Sequence, residues 1–198
     1  MNIVRLPLGA YQTNTYILFN EGGEKCLVID PGYEPRKILN YVNELMLDVE
    51  AILLTHGHFD HVGGVKEIAA DTDCRVFLNE RENAMPPMMT AGKLYATDFY
   101  DEGDTLTLAG LTFTVLATPG HTPGSVCLDF GKDLFTGDTL FAGSCGRTDL
   151  PCGDGHQLRA SLKKLAQIQG NRNVYPGHGP ESDLDEERKS NPYLGGAL

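Results

Sequence analysis

A dense group of metal-binding residue types follows a short apolar segment, and it constrains the fold of this chain more than any other feature. Residues 51–55 are predicted to form a buried strand, and the chain then continues as His56-Gly57-His58-Phe59-Asp60-His61. Side chains two apart in an extended chain project to the same side, so His56 and His58 can reach one metal ion together. Asp60 and His61 come after the chain turns toward a helix, so they can face a second ion.

Four further polar residues stand at the ends of other predicted strands: Asp30, His121, Asp138 and His178. A glycine lies near each metal candidate and lets the backbone come close to a crowded centre. Strand ends at one edge of a sheet converge in space, and ligand sites often form there. The sequence therefore predicts one cleft into which five strand ends deliver side chains.

Seven candidate ligands are too many for a single zinc ion with an open position, which takes three protein ligands. The simplest division has one ion bound by His56, His58 and His121, a second bound by Asp60, His61 and His178, and Asp138 bridging the two. Two ions about 3.5–4 Å apart can share a hydroxide and lower its pKa toward neutrality, which makes it a nucleophile. Asp60 and Asp138 are the expected catalytic carboxylates. Asp30 is expected outside the ligand set, where it either accepts a hydrogen bond from a ligand imidazole or a backbone amide, or only caps the turn at Pro31-Gly32.

The remaining pattern predicts strands and helices interleaved along the chain. Strands are expected at 2–7, 15–20, 25–30, 51–55, 75–79, 105–108, 111–117, 125–129, 132–136 and 173–175, and helices at 34–47, 62–70, 156–168 and 184–189. Each half runs several strands, a helix and a short strand. That order favours an α/β chain with two sheets packed face to face and helices outside. A single domain over residues 1–198 is expected.

Residues 85–103 lack periodicity, and a loop this long is often a lid or binding element. Lys93 and Tyr95 lie in it and are candidate substrate contacts. Its methionines, at 85, 88 and 89, are interpreted first as fillers of core gaps.

The composition limits the classes of molecule that this chain is expected to bind. The net charge of −11 argues against nucleic-acid binding, because neutralising phosphates requires clustered Lys and Arg. No apolar run approaches the ~20 residues of a membrane span, and no signal peptide is visible, so we expect a cytoplasmic protein without a membrane partner. The five cysteines are expected to be free thiols. The oligomeric state, monomer or homodimer, stays open.

Several motifs together resemble the metallo-β-lactamase-fold hydrolases, and within them the glyoxalase II group, the hydroxyacylglutathione hydrolases. They span nearly the whole chain and comprise Thr13-Asn14-Thr15-Tyr16, Val28-Ile29-Asp30-Pro31-Gly32, Thr55 to His61, Thr118 to Ser125, Thr136-Gly137-Asp138, Gly146-Arg147 and Pro176-Gly177-His178-Gly179. The resemblance implies an αββα sandwich of two mixed sheets, two divalent metal ions divided as above, and hydrolysis of a thioester such as S-D-lactoylglutathione by a metal-bridging hydroxide. Zinc is favoured, with iron and manganese as alternatives.

The chain departs from full-length glyoxalase II at its C-terminal end. Those enzymes carry a further helical region that supplies basic contacts to glutathione, and this chain ends soon after His178. The sequence is similar to the short bacterial glyoxalase II-like proteins, without a separate glutathione-binding domain. Thioester hydrolysis is therefore expected, while glutathione is only one candidate for the thiol carrier.

Other interpretations stay open beside these. Persulfide dioxygenases resemble this fold and hold one iron, whose ligands would map to His56, His121 and Asp138. Arg147 is interpreted either as a substrate contact or as a structural partner of Asp149 or Asp154, with the structural role favoured. Cys145 and Cys152 are expected to be buried small residues rather than nucleophiles. β-Lactam hydrolysis is not expected, since no export signal is visible.

Overall fold

The structure of the protein is a computed structural model that describes residues 1–194. Its strands are β1 (Asn2–Leu8), β2 (Thr13–Phe19), β3 (Lys25–Ile29), β4 (Asp48–Leu53), β5 (Arg75–Leu78), β6 (Asp98–Phe99), β7 (Thr105–Leu108), β8 (Leu111–Ala117), β9 (Val126–Asp129), β10 (Asp133–Gly137), β11 (Leu140–Phe141), β12 (Ser144–Cys145), β13 (Asn173–Pro176) and β14 (Ser182–Asp183). Its helices are α1 (Pro35–Glu44), α2 (Phe59–Val62), α3 (Val65–Thr72), α4 (Pro87–Thr90), α5 (Gly155–Ala166) and α6 (Leu184–Ser190), with a 3₁₀ helix at Glu80–Ala84.

Twelve of the fourteen described strands form two sheets of six strands each, and the expected number of sheets is confirmed. The first has the order β1-β2-β3-β4-β5-β6 and the second the order β14-β13-β10-β9-β8-β7. Both are mixed. In the first sheet, the strands from β3 to β6 are parallel to one another, and β2 is antiparallel to both of its neighbours, β1 and β3. In the second sheet, the described pairs are antiparallel except for β10 and β13, which are parallel. Strands β11 and β12 form a separate hairpin.

Alternation along the strands explains why the two sheets pack face to face. In β4, Ala51 and Leu53 join an apolar cluster that also contains Phe113 and Phe135 of the second sheet, and all four are buried. Successive strand side chains point to opposite faces. Ile52 therefore points the other way, into a second cluster with residues of α1 and α3.

The outer face of the second sheet is covered in the same way. Leu134 and Val174, on β10 and β13, pack in a third buried cluster with Leu158 and Leu162 of α5. The layers therefore run helix, sheet, sheet, helix, and the predicted αββα sandwich is confirmed.

One predicted helix is wrong in its bounds. The segment 62–70 was expected to form one helix, but α2 ends at Val62 and α3 begins at Val65. Between them the backbone N–H of Gly64 donates to the carbonyl of Pro31 at 2.8 Å, so the chain packs against the turn after β3 instead of continuing the first helix. Asp60 and His61 consequently lie on a helix of a single turn.

The segment 85–103 is more ordered than expected. It contains α4 and the two-residue edge strand β6, which pairs with β5. Met85 is buried, as the core interpretation requires, but Met88 is 76% exposed and fills no core gap. The lid interpretation stays a prediction.

Side-chain hydrogen bonds connect strand β2 of the first sheet to the loop after β13. The Asn14 side-chain amide donates to the carbonyls of Pro176 and Gly179 at 2.9 Å, and the Tyr16 hydroxyl donates to Pro176 at 2.7 Å. His178 lies between these two carbonyls in sequence, so β2 fixes its position.

The hydrogen bond from Tyr16 to Pro176 leads to a prediction about stability. Tyr16→Phe removes one buried hydrogen bond but leaves the Pro176 carbonyl its bond from Asn14, so we expect the free energy of unfolding to fall by about 1 kcal/mol. Urea unfolding of both proteins measures the difference. An unchanged midpoint would show that the Tyr16 hydroxyl contributes nothing.

Candidate metal centre

The first sheet delivers four of the predicted ligands from the end of β4. His56 and His58 follow that strand in extended chain, with His58 at φ −63° and ψ 145° directly before α2. Asp60 and His61 occupy the single turn of α2. Their side chains are nearly or fully buried. The predicted change of direction between the two pairs is therefore present.

The second sheet delivers the other three ligands. His121 lies in the loop that joins β8 to β9, Asp138 directly follows β10, and His178 comes two residues after β13. An isolated backbone bridge between Thr13 and His178 joins the two sheets at this edge. The structure thus brings all seven predicted residues into one cleft.

Three imidazoles form the first ligand group. Nδ1 of His58 lies 2.9 Å from Nε2 of His121 and 3.1 Å from Nε2 of His56. All three nitrogens lie within 4.8 Å of one another. This is the spacing of atoms that share one ion.

Two imidazoles and a carboxylate form the second group. Nε2 of His178 lies 3.2 Å from Asp60 Oδ2 and 3.4 Å from Nε2 of His61. Asp138 contacts both groups, since its Oδ2 lies 3.5 Å from Nε2 of His121 and its Oδ1 lies 3.4 Å from Nε2 of His61. The position between the groups is the one expected of a bridging carboxylate.

Hydrogen bonds on the outer side of the imidazoles fix their orientation. Nδ1 of His121 lies 2.7 Å from the Arg147 carbonyl and Nδ1 of His178 lies 3.2 Å from the Tyr11 carbonyl. A carbonyl can only accept, so each Nδ1 carries the proton and donates. In the neutral ring the inward Nε2 then holds a free lone pair, as a metal ligand requires.

Asp30 serves the same purpose on the first sheet. Its Oδ2 lies 3.0 Å from Nδ1 of His61 and accepts from the Thr55 hydroxyl at 2.6 Å, while its Oδ1 accepts from the Thr55 backbone N–H at 2.8 Å. It therefore contacts both a candidate ligand imidazole and a backbone amide, as the functional interpretation of Asp30 expects, and not only the turn that follows β3.

The electrostatics of the cleft favour neutral imidazoles in one group and positive charge in the other. Burial and the neighbouring imidazoles lower the pKa of His58 to about 4 and hold that of His56 well below its usual value. Burial would also lower the pKa of His61, but the carboxylates of Asp138 and Asp30 outweigh it and raise that pKa to about 9.

The carboxylate of Asp60 stays ionised. Burial would raise its pKa, but the hydrogen bond from His178 and the charges of His61 and His178 outweigh burial and hold the pKa below its usual value. The Thr13 hydroxyl donates to the same oxygen, Oδ2, at 3.1 Å. Thr13 is a contact that the sequence did not single out.

The donor set fits divalent metal ions. In the described part of the chain, His58 Nε2 and Asp138 Oδ1 are the buried side-chain polar atoms without a hydrogen-bond partner. An orphaned buried carboxylate oxygen requires an explanation, and a cation between the two ligand groups supplies one. Imidazole and carboxylate ligands suit zinc, iron and manganese alike.

The cleft beside the two groups has a volume of about 580 Å³. Its walls are largely apolar and come from five separated segments: Tyr11, Phe59, Met89, Phe141 and Leu150. Most of these residues gave no signal in the sequence, because single apolar positions far apart along the chain show no periodicity. Met89 is the exception, since it belongs to the segment 85–103, for which a lid or binding element was one interpretation.

Two of the expected substrate contacts lie elsewhere. Leu94 packs against the helix-covered face of the first sheet, and its neighbours Lys93 and Tyr95 are exposed and do not line the described cleft. That segment contributes Met89 instead. Arg147 borders the cleft, but its guanidinium pairs with Asp149 at 2.7 and 2.8 Å, so the structural interpretation describes its side chain better.

The cysteines agree with prediction in part. All five are free. Cys145 is partly buried, but Cys152 is exposed, so the expectation that both are buried is wrong. Cys152 lies in the loop between β12 and α5.

In the part of the chain that the structure describes, every helix is too short or too polar to span a lipid bilayer.

The sequence and fold agree with a known family of metal-dependent enzymes. The profile of the metallo-beta-lactamase superfamily matches residues 8–178, and the chain belongs to this superfamily. A probable metallo-hydrolase from Bacillus subtilis, YqgX, is 39% identical over 97% of each chain. The hydroxyacylglutathione hydrolase GloC of Haemophilus influenzae is 34% identical over 98% of each chain. The glyoxalase II-like resemblance is therefore confirmed.

Solved structures give the same family. The protein TTHA1623, in a di-iron-bound form, is 38% identical with a TM-score of 0.86, covering 96% of this chain and 100% of its own. The B3 metallo-beta-lactamase BLEG-1 is 35% identical with a TM-score of 0.90, at 98% and 100% coverage. ETHE1 from Myxococcus xanthus is 30% identical with a TM-score of 0.88, at 100% and 86% coverage.

Proposed function

We propose that this metallo-hydrolase cleaves a small-molecule thioester at a centre of two divalent cations. The observation that carries the proposal is the completeness of both ligand groups, with Asp138 between them. His56, His58 and His121 would hold one cation, and Asp60, His61 and His178 the other. The likeness to GloC, a hydroxyacylglutathione hydrolase, supports the thioester as substrate class.

When bound, the two cations would supply a low-pKa water nucleophile and polarise the thioester carbonyl. The chain's own residues orient and neutralise this centre. Asp30 and the Arg147 and Tyr11 carbonyls hold ligand imidazoles in the tautomer that points a lone pair inward. Asp60 and Asp138 compensate positive charge. Both also line the cleft, where either carboxylate can accept the proton that water releases.

The walls of the cleft bear on the substrate. Tyr11 and Phe59 pack edge to face at 5.4 Å between ring centroids and form one apolar side of the opening. Such a wall suits the hydrocarbon part of an acyl group or thiol carrier, because its burial is favourable by roughly 25 cal/mol per Å². Glutathione is one candidate carrier. Zinc is the favoured metal, and the di-iron form of TTHA1623 supports iron as the alternative.

A persulfide dioxygenase is the second candidate, because the three residues to which its iron ligands would map lie together in this centre. Such an enzyme would use one iron at His56, His121 and Asp138. Against it stands the second group, since a one-iron enzyme has no use for three more converging ligands.

The proposal is tested by hydrolysis assays on the metal-loaded protein before and after chelation. We expect S-D-lactoylglutathione or a thioester with a simpler thiol carrier to be hydrolysed, the activity to vanish with chelator, and zinc or iron to restore it. A β-lactam serves as the third substrate because of the likeness to BLEG-1. Thioesters left intact by the loaded protein would contradict the proposal.

A further inference from the structure

Glu82 is a buried carboxylate that lies outside the ligand set. It belongs to the 3₁₀ helix after β5, and its side chain has no solvent exposure. Its carboxylate accepts from two backbone N–H groups, Gly57 to Oε2 at 2.5 Å and Gly124 to Oε1 at 2.6 Å, and the Thr122 hydroxyl is a further donor beside it. A buried carboxylate without a cationic partner is unfavourable unless such donors compensate it.

The two amides belong to the two loops that carry the first ligand group. Gly57 lies between His56 and His58, at the end of β4 in the first sheet. Gly124 lies in the loop between β8 and β9 of the second sheet, three residues after His121. One carboxylate thus spans the gap between the sheets and bonds to both loops.

Both amides need glycine for this contact. A Cβ at Gly57 would lie 2.8 Å from Glu82 Oε2, and one at Gly124 would lie 2.8 Å from Oε1. Real Cβ atoms essentially never come so close to another heavy atom. The backbone of both loops is therefore shaped to admit this side chain.

The 3₁₀ helix is itself held in place. The Asn79 side chain accepts from the Arg81 backbone N–H at 3.0 Å and donates to the Tyr100 carbonyl at 3.1 Å, and the Tyr100 hydroxyl donates to the Leu54 carbonyl at 2.7 Å. Glu82 therefore projects from a support that is fixed to the end of β4.

We propose that Glu82 is a positioning residue of the metal centre, which sets the separation of the His56–His58 loop from the His121 loop. Stability alone does not explain a carboxylate at this position, because an apolar side chain would fill the same space without burying a charge. A carboxylate, unlike an apolar group, accepts from both amides at once. This inference rests on the proposed two-cation centre but not on the identity of the substrate.

The test compares Glu82→Gln with wild type by titrating the metal-free proteins with Co²⁺ against a competing chelator. The glutamine amide has one acceptor oxygen and one donor nitrogen, so only one of the two backbone amides keeps its acceptor. We expect the affinity of the three-histidine group to fall about 10- to 100-fold, as for other residues that orient ligands, and its visible Co²⁺ absorption bands to shift.

Glu187→Gln is the matched control. Glu187 is also buried; it accepts from the Gly143 backbone N–H at 2.9 Å and the Asn191 amide at 2.7 Å, away from all seven ligands. We expect it to lower the melting temperature as much as Glu82→Gln while leaving Co²⁺ affinity and spectrum unchanged. If Glu82→Gln does not fold, Glu82→Asp replaces it, because its shorter carboxylate cannot reach both amides.

The outcomes separate the two proposals. A wild-type protein that takes up no cation would overturn both. A wild type that takes up two, beside a folded Glu82 variant of equal affinity and spectrum, would overturn the inference about Glu82 alone.

Discussion

Asp138→Asn is expected to lower kcat for thioester hydrolysis by about 10³-fold. Metal ions contribute several kcal/mol of transition-state charge stabilisation, and each 1.36 kcal/mol is a factor of ten in rate. Asp138 contacts His121 of the first ligand group and His61 of the second, at 3.5 and 3.4 Å. Replacing its charge with a neutral amide therefore weakens both cation sites at once, and steady-state kinetics with metal analysis measure the two effects together.

Asp133→Asn is the control for this substitution. Asp133 begins β10, the strand that Asp138 follows, and accepts from the Asn173 side chain at 2.8 Å, far from the ligands. We expect its kinetics and metal content to match wild type. Full activity in Asp138→Asn with two cations still bound would contradict a catalytic role for Asp138.

His178→Ala is expected to reduce bound metal from two ions to one and to lower hydrolysis about 10²- to 10³-fold, since one cation supplies only part of the stabilisation. His178 belongs to the second ligand group and not to the first, so the three-histidine group stays complete in this variant. The same variant separates the two candidate functions. A one-iron dioxygenase would keep its activity, because none of its expected ligands is changed.

His156→Ala is the matched control. His156 is exposed in the first turn of α5, where Asp154 accepts from its backbone N–H at 2.8 Å, and it is the one histidine outside the two ligand groups. We expect neither metal content nor kinetics to change. If His178→Ala hydrolyses thioesters as wild type does, the second cation has no part in the reaction.

The convergence of the candidate ligands could be predicted from the sequence, because part of the signal is local. His56, His58, Asp60 and His61 lie within six residues after an apolar strand, and the alternation of extended chain followed by a helical turn determines which side chains face together. The αββα layering followed from the order of strands and helices. The first pattern lies in a short stretch of chain, whereas the second depends on the order of elements along the whole chain.

The contacts that the sequence could not predict join distant segments. Glu82 stands in the polar run Glu80-Arg81-Glu82-Asn83-Ala84, which is typical of an exposed turn, and its burial depends on glycines 25 and 42 residues away. The break between α2 and α3 is different, because the sequence contains a signal for it. The pair Gly63-Gly64 disfavours a continuous helix, but the helical spacing of the apolar residues around it favoured one. Lys93 and Tyr95 failed as cleft residues because Leu94, between them, packs inward.

The most direct test of the two-cation hydrolase is metal analysis of the purified wild-type protein with two assays in parallel: hydrolysis of S-D-lactoylglutathione, and oxygen uptake with glutathione persulfide. We expect two divalent ions per chain, thioester hydrolysis that His58→Ala abolishes, and no oxygen uptake. One iron per chain, rapid oxygen uptake and no hydrolysis above the His58→Ala background would contradict it.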